Sequence, residues 1–197
     1  MLKNTGSHTF KNLQLNTGLL FYNIKVEEFE CGGSLRSALE SALEDGGNFL
    51  GATRRGAVFS ARPIVRQYRS DGDFYVKLEG TVISGWEVEL SAEIVEFTPE
   101  IIRQILPKAK IDDQMLNVTK LNLQEILSAQ RENLIWVGDL SGGGLIAIEL
   151  RNAMNVGGIR LNAESSTENS IAVRFIPHSG EFFNPGKPPF EIYFLSN

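Results

Sequence analysis

Between Trp86 and Ile94 the sequence alternates without a fault. Trp86, Val88, Leu90, Ala92 and Ile94 take every second position, and Glu87, Glu89, Ser91 and Glu93 fill the places between. Successive side chains of an extended strand point to opposite faces, so the pattern specifies a strand with one face in a core and the other in water. Such a strand needs neighbours beside it and a layer over its apolar face. The chain supplies candidates in runs rich in aromatic and branched residues: Leu19–Val26, Ala57–Arg69, Leu134–Leu140, Leu145–Leu150, Ile159–Ala163, Ile171–Pro177 and Phe190–Leu195. Turn signals separate several of them, at Ser70–Asp73, Ser141–Gly144, Val156–Gly158 and Ser165–Glu168. Pro63, inside the second run, predicts a sheet edge or a break. At Val95–Phe97 the alternation slips, which marks a bulge or the end of the strand.

Two segments carry helical spacing instead. In Ser34–Glu44, residues Leu35, Leu39 and Leu43 share one face with Ala38 and Ala42, with Ser34 placed to cap the start and Gly46 to end the helix. Thr98-Pro99-Glu100 opens a second helix with a cap, a proline at the first helical position and an acid near the positive end. Ile101, Ile102, Ile105 and Leu106 form its apolar face, and Pro107 stops it. Residues 107–133 hold no sustained period and read as an extended loop with local structure, and residues 1–18 read as an N-terminal arm. Many short strands and two helices predict a mainly β, α+β domain over residues 1–197, an antiparallel β-sandwich or half-barrel with a flanking helix. With 197 residues, 42% of them hydrophobic, the core needs no disulfide or metal staple.

Charge and motif content narrow the function. There are 19 Lys+Arg against 24 Asp+Glu, a net charge of −5 with a pI near 5.2. Proteins that grip nucleic acid by its phosphates show a basic stripe, and the densest basic pair here is Arg54-Arg55. His8 and His178 are the only histidines, and no serine sits in a G-x-S-x-G setting, so no catalytic triad is expected. One cysteine, Cys31, makes neither an intrachain disulfide nor a zinc set, and fits synthesis in a reducing cytoplasm. Ser141-Gly142-Gly143-Gly144 lacks the lysine of a phosphate loop and reads as a hairpin turn. Asp112-Asp113 lacks the spaced oxygens of a calcium loop. No apolar run is long enough to cross a bilayer, and no signal peptide is visible. The expectation is a protein with no enzymatic activity, no metal and no cofactor.

Six ordered pieces of the chain resemble the major tail tube proteins of tailed bacteriophages. Asn48–Arg66 resembles that family's "LGAT-x-GG-x-x-F" pattern and the strand after it, with Asp71-Gly72 in the place of its closing "DG". Gly85–Leu90 and Ile94–Ile102 match the next elements. Glu132–Gly138 resembles "DNIxWVG", Asn152–Gly158 resembles "NALNxxGL", and Pro188–Tyr193 resembles "PFEIYYP". Arg55 stands where the family pattern has a glycine.

The resemblance implies a structural virion protein made in the host bacterial cytoplasm. Six copies would form a ring whose inner sheets join around a channel, and rings would stack into a hollow tube. Its implied partners are further copies of itself, a tape measure protein, and the distal tail and tail terminator proteins. DNA would pass through without specific binding, and no membrane is involved. Alternation alone makes Glu87, Glu89 and Glu93 candidates for the channel lining, where carboxylates would keep phosphates from sticking. The candidate inter-subunit or inter-ring loop comprises Asp112, Asp113, Gln114, Met115, Leu116 and Asn117. Competing readings are a monomeric β-sandwich binding module, the tube of a phage-derived contractile injection particle, and, most remotely, an enzyme.

Overall fold

A computed structural model describes residues 14–24, 35–45, 48–68, 80–106, 109–115, 118–123, 132–141, 144–162, 169–178 and 187–195. Its strands are β1 (Gln14–Tyr22), β2 (Phe49–Gln67), β3 (Thr81–Ile94), β4 (Ala109–Met115), β5 (Val118–Leu123), β6 (Glu132–Leu140), β7 (Leu145–Asn155), β8 (Arg160–Asn162), β9 (Ser170–Pro177) and β10 (Phe190–Leu195). Its helices are α1 (Leu35–Asp45) and α2 (Pro99–Ile105). Every pairing is antiparallel. The protein is therefore mainly β with flanking helix, as the alternation predicts.

The main sheet runs β10-β7-β6-β1-β2-β3-β9-β8, and a further pairing of β7 with β9 closes it on itself. This closure depends on a change of partner within β7. Leu145–Leu150 lies between β6 and β10, while Ala153–Asn155 pairs with Phe175–Pro177 of β9. Between the two parts Asn152 adopts φ 49, a conformation that an asparagine side chain tolerates well. Six strands, β7-β6-β1-β2-β3-β9, thus make a barrel, with β10 and β8 attached at its seam. The predicted half-barrel is realised as one rolled sheet, which leaves fewer open edges than two stacked sheets.

Alternation sorts the side chains to the two faces. Leu20, Val88, Leu90, Ala92, Ile94, Leu134, Trp136, Ile148, Leu150, Ile171, Val173 and Phe175 fill the interior. Ile101 and Ile105 of α2 join this interior cluster. Thr98 starts that helix as expected, accepting a hydrogen bond from the Ile101 amide at 3.2 Å. Phe21, Ile135, Val137 and Ala147 point outward, and Leu35, Leu39 and Ala42 of α1 cover them. Only part of the predicted apolar face of α1 is used, since Leu43 is 44% exposed.

A polar cluster sits at the outer layer beside α1. Glu149, buried, accepts from Asn133 Nδ2 at 2.8 Å and from the Tyr193 hydroxyl at 3.0 Å. The same hydroxyl reaches Glu191, which pairs with Arg151. Burial, then these carboxylates, push the Tyr193 hydroxyl well above its ordinary value, so it stays protonated as a donor. Tyr193→Phe should cost about 2 kcal/mol in urea unfolding at neutral pH, because a buried carboxylate loses a donor.

Four sequence expectations need correction. β1 begins at Gln14, so residues 14–18 belong to a sheet strand and not to the expected 1–18 arm, because their polar residues Gln14, Asn16 and Thr17 hide the strand pattern. β2 begins at Phe49, not Ala57, and runs 19 residues through Pro63. Proline is tolerated there because β3 alone pairs with β2 beyond Thr53. β7 extends five residues past its expected end at Leu150. Within 107–133, β4 and β5 form a two-stranded hairpin where a loop was expected, with Ala109 opposite Leu123 and Asp112 opposite Lys120. The register is irregular between Asp112 and Met115, which includes Asp113 and Gln114, and that irregularity blurs the period-2 pattern. Leu116 and Asn117 lie outside the described residues, as do Ser34, Gly46, Pro107 and the expected turns at Ser70–Asp73 and Ser165–Glu168.

Candidate functional site

Two features face outward with nothing of the described chain over them: a long ribbon and one side of the barrel. The ribbon is the far part of the β2–β3 hairpin. β1 pairs with Phe49–Ala52 of β2, and β9 with Leu90–Ile94 of β3, so among the described residues the two strands beyond these points hold only each other. Near the barrel the ribbon is anchored by aromatic packing. Phe190 meets Phe59 edge-on at 5.2 Å between ring centroids and Trp86 at 5.7 Å. Past Trp86 the support ends, and residues 62–67 are exposed on both faces of the ribbon. This outer part spans about 20 Å at the rise of an extended strand. Ile64 (42%), Val65, Val82, Ile83 and Tyr68 (67%) lie exposed along it. Edge strand β10 adds exposed Ile192 and Phe194.

The uncovered side of the barrel is the outer face of β2, β3, β9 and β8, and the predicted glutamate row is on it. The row is not a bare anionic stripe. Glu87 takes the Arg62 guanidinium, with Nε to Oε2 at 3.0 Å and both side chains well exposed. Glu89 takes Arg174 at 2.9 Å and accepts from Ser91 Oγ at 2.8 Å. Glu93 stands opposite Arg54 in the ladder and accepts from Ser170 Oγ at 3.4 Å. Alternation revealed the carboxylates but not their partners, which come from other strands.

The Arg174 hydrogen bond, then that of Ser91, holds the Glu89 carboxyl below its ordinary value of 4.5. A carboxyl with a lowered folded-state value adds stability above pH 4.5, and loses it as pH falls through that folded-state value. Arg174→Gln should therefore lower stability at pH 7 and make no difference in strong acid. Unfolding curves for both proteins from pH 7 to pH 2 check this, with the gap expected to close only below 4.5.

Beside the row lies an open cleft of about 470 Å³, between the start of β2, β3, β9 and the turn before β8. Four arginines line it, Arg54, Arg55, Arg160 and Arg174, with Glu93 as the one acid. The β2 wall is a bulge: Arg54 pairs with Glu93 and Ala57 with Ala92, so residues 55 and 56 have no partner across the ladder. Both adopt left-handed backbone, Arg55 at φ 59 and Gly56 at φ 78. Asn155 fixes the opposite wall. Its side-chain Oδ1 accepts from the Gly157 and Arg174 backbone amides, and its Nδ2 donates to the Gly158 and Ile105 carbonyls. Two of the matched sequence motifs, around Gly51–Gly56 and Asn152–Gly158, thus serve backbone geometry.

Among the described residues no cluster of His, Cys, Asp or Glu is arranged to hold a metal ion, and no helix is long and apolar enough to cross a membrane. His178 rests beside the Ile176 carbonyl at 3.2 Å. His8 and Cys31 lie outside the described residues. Arg54-Arg55 is the densest basic pair of the sequence, but Arg160 and Arg174 join it only through the fold and carry no local signal.

No protein-family model matches this chain, and no curated protein matches it.

Proposed function

We propose that the protein is a self-assembling structural subunit, the building block of a hollow tail tube of the phage type. The observation that carries this reading is the β2–β3 ribbon. Two strands alone are marginal in water, and this pair exposes branched apolar residues on both faces and, among the described residues, unpaired backbone edges on both sides. A subunit that lives alone has no reason to present such a surface, whereas one that meets copies of itself covers it. The ordered sequence resemblance and the mainly β fold with its flanking helix support the same reading.

In this proposal, six subunits form a ring and rings stack, because a head-to-tail contact that does not close builds a filament. The ribbon, with Glu87 at its base, lies toward the channel or the next ring, and β4–β5 carries the candidate inter-ring contacts at Asp112, Asp113, Gln114 and Met115. DNA and a tape measure protein would pass within. Molar mass by light scattering across a concentration series tests the proposal. Rings or longer assemblies are expected, and a monomer at every concentration, with or without tail-tip components, would contradict it. The arginine cleft favours a second reading, a monomeric module that binds an acidic ligand, and that reading predicts the monomer.

A further inference from the structure

We infer that the arginine cleft is the socket for the acidic outer face of α1 from a second copy of this chain. The inference rests on the reading of the protein as a self-assembling subunit and names one of its contacts.

The cleft is strongly basic within an acidic chain. Four arginines line it against one acid, Glu93, in a chain whose net charge is −5, and of the four Arg174 is already held by Glu89. Among the described residues, the Arg55 and Arg160 side chains have no ion pair or hydrogen bond. Arg55 is also held at a backbone conformation that disfavours it. A side chain at φ 59 costs roughly 1–2 kcal/mol, which glycine avoids. An arginine kept at such a position needs work for its guanidinium that offsets the strain. Between the charges, Val58 is 71% exposed, so the socket wants an apolar contact as well as anions.

The outer face of α1 has the complementary shape of charge. Glu40, Leu43 and Glu44 lie together at spacings of three and four, all exposed. Among the described residues, neither glutamate has a partner. Glu44 above all is poorly placed in an isolated subunit. Like charges four residues apart repel, and Glu44 sits at the negative end of the helix, whose last turn holds no basic residue. Leu43 adds an exposed apolar side chain between them. Docked in the cleft, Glu40 and Glu44 meet Arg55 and Arg160, and Leu43 meets Val58.

Topology makes the contact intermolecular. Around the barrel the order is β7-β6-β1-β2-β3-β9, so β6, beneath α1, stands opposite β3, beneath the cleft. A helix on one side cannot fill a socket on the other side of the same barrel. The contact is then head-to-tail, each copy offering a helix to one neighbour and a socket to the next, which is the geometry that closes into rings. The ribbon stays free for the channel or the next ring.

Charge reversal with mixing tests the pairing. One variant carries Arg55→Glu with Arg160→Glu, and the other carries Glu40→Arg with Glu44→Arg. Each alone should need at least about tenfold more protein to assemble than the unaltered chain, since like charges across an interface are costly. An equimolar mixture restores one good socket for every helix and should assemble as the unaltered chain does. A mixture no better than its components overturns the pairing. Arg55→Gly separates assembly from folding: Tm should hold or rise while assembly weakens, and intact assembly with a lowered Tm would assign the arginine to the fold instead. A last variant, Cys31→Ser with Leu43→Cys and Val58→Cys, is oxidised at high concentration. An interchain disulfide is expected. Rings without that disulfide keep the tube and remove this contact, while the disulfide in a protein that never forms rings keeps the contact and removes the tube.

Discussion

Gly18→Ala should cost about 3 kcal/mol, the upper range for overpacking a filled core, and lower Tm by about 6–12 °C in a domain of this size. A Cβ placed on Gly18 falls 2.1 Å from Trp136 Nε1 and 2.3 Å from its Cε2. The indole has no room to retreat, because Trp136 is buried among the interior side chains. Gly18 is held from its other side too. Thr53, fully buried, donates its hydroxyl to the Gly18 carbonyl at 2.8 Å and accepts from the Gly18 amide at 2.9 Å. This side chain stands in for ladder bonds just where β1 and β2 stop pairing, so the backbone at Gly18 is pinned against the indole. The expected loss is steric, and a matched substitution shows it. At Gly85 a new Cβ meets only Ile64 Cδ1, at 3.6 Å, so Gly85→Ala should be neutral or gain up to about 1 kcal/mol from the stiffer strand. Thermal melts of the two variants beside the parent decide the matter. Equal melting temperatures for all three would mean that β1 and β6 are not packed as described.

The second large effect concerns assembly rather than folding. Replacing Ile64, Val65, Val82 and Ile83 together by threonine keeps branched, strand-favouring residues but removes the apolar cover from the end of the ribbon. These side chains are exposed, so the monomer should keep its fold, with Tm within a few degrees of the parent. Self-association should fall by a hundredfold or more, on the order of the 3 kcal/mol that four buried aliphatic side chains readily supply at an interface. Sedimentation across a concentration series reads this directly. A variant that assembles like its parent would take the ribbon out of the interface.

Much of the fold was legible where one face of a strand had to be buried. The row from Trp86 to Ile94 was such a case, and its phase slip at Val95 coincides with the end of β3. Phe190–Leu195 and the capped start of α2 were equally readable, since their signals are local. β2 was legible only in part. Its first eight residues contain Gly51, Gly56 and Arg54-Arg55 and carry no strand pattern, because a bulge with two left-handed residues breaks the period there. The end of β7 was hidden for a related reason: Asn152 bends the strand, and its new partner, β9, lies about twenty residues away in sequence.

The candidate site shows the same division. The glutamates declared themselves by alternation, but their neutralisation did not, because Arg62 and Arg174 arrive through strand pairing over long sequence separations. The cleft was invisible for that reason as well. Leu43 was assigned to the buried face of α1 by its spacing, yet the helix turns it outward, and its exposure only gains sense beside Glu40 and Glu44.

Negative-stain electron microscopy of the purified protein at high concentration, with and without tail-tip components, tests the central claim most directly. The account predicts rings or hollow tubes with sixfold end views. Uniform particles of a single 21.8 kDa chain in both samples would contradict it.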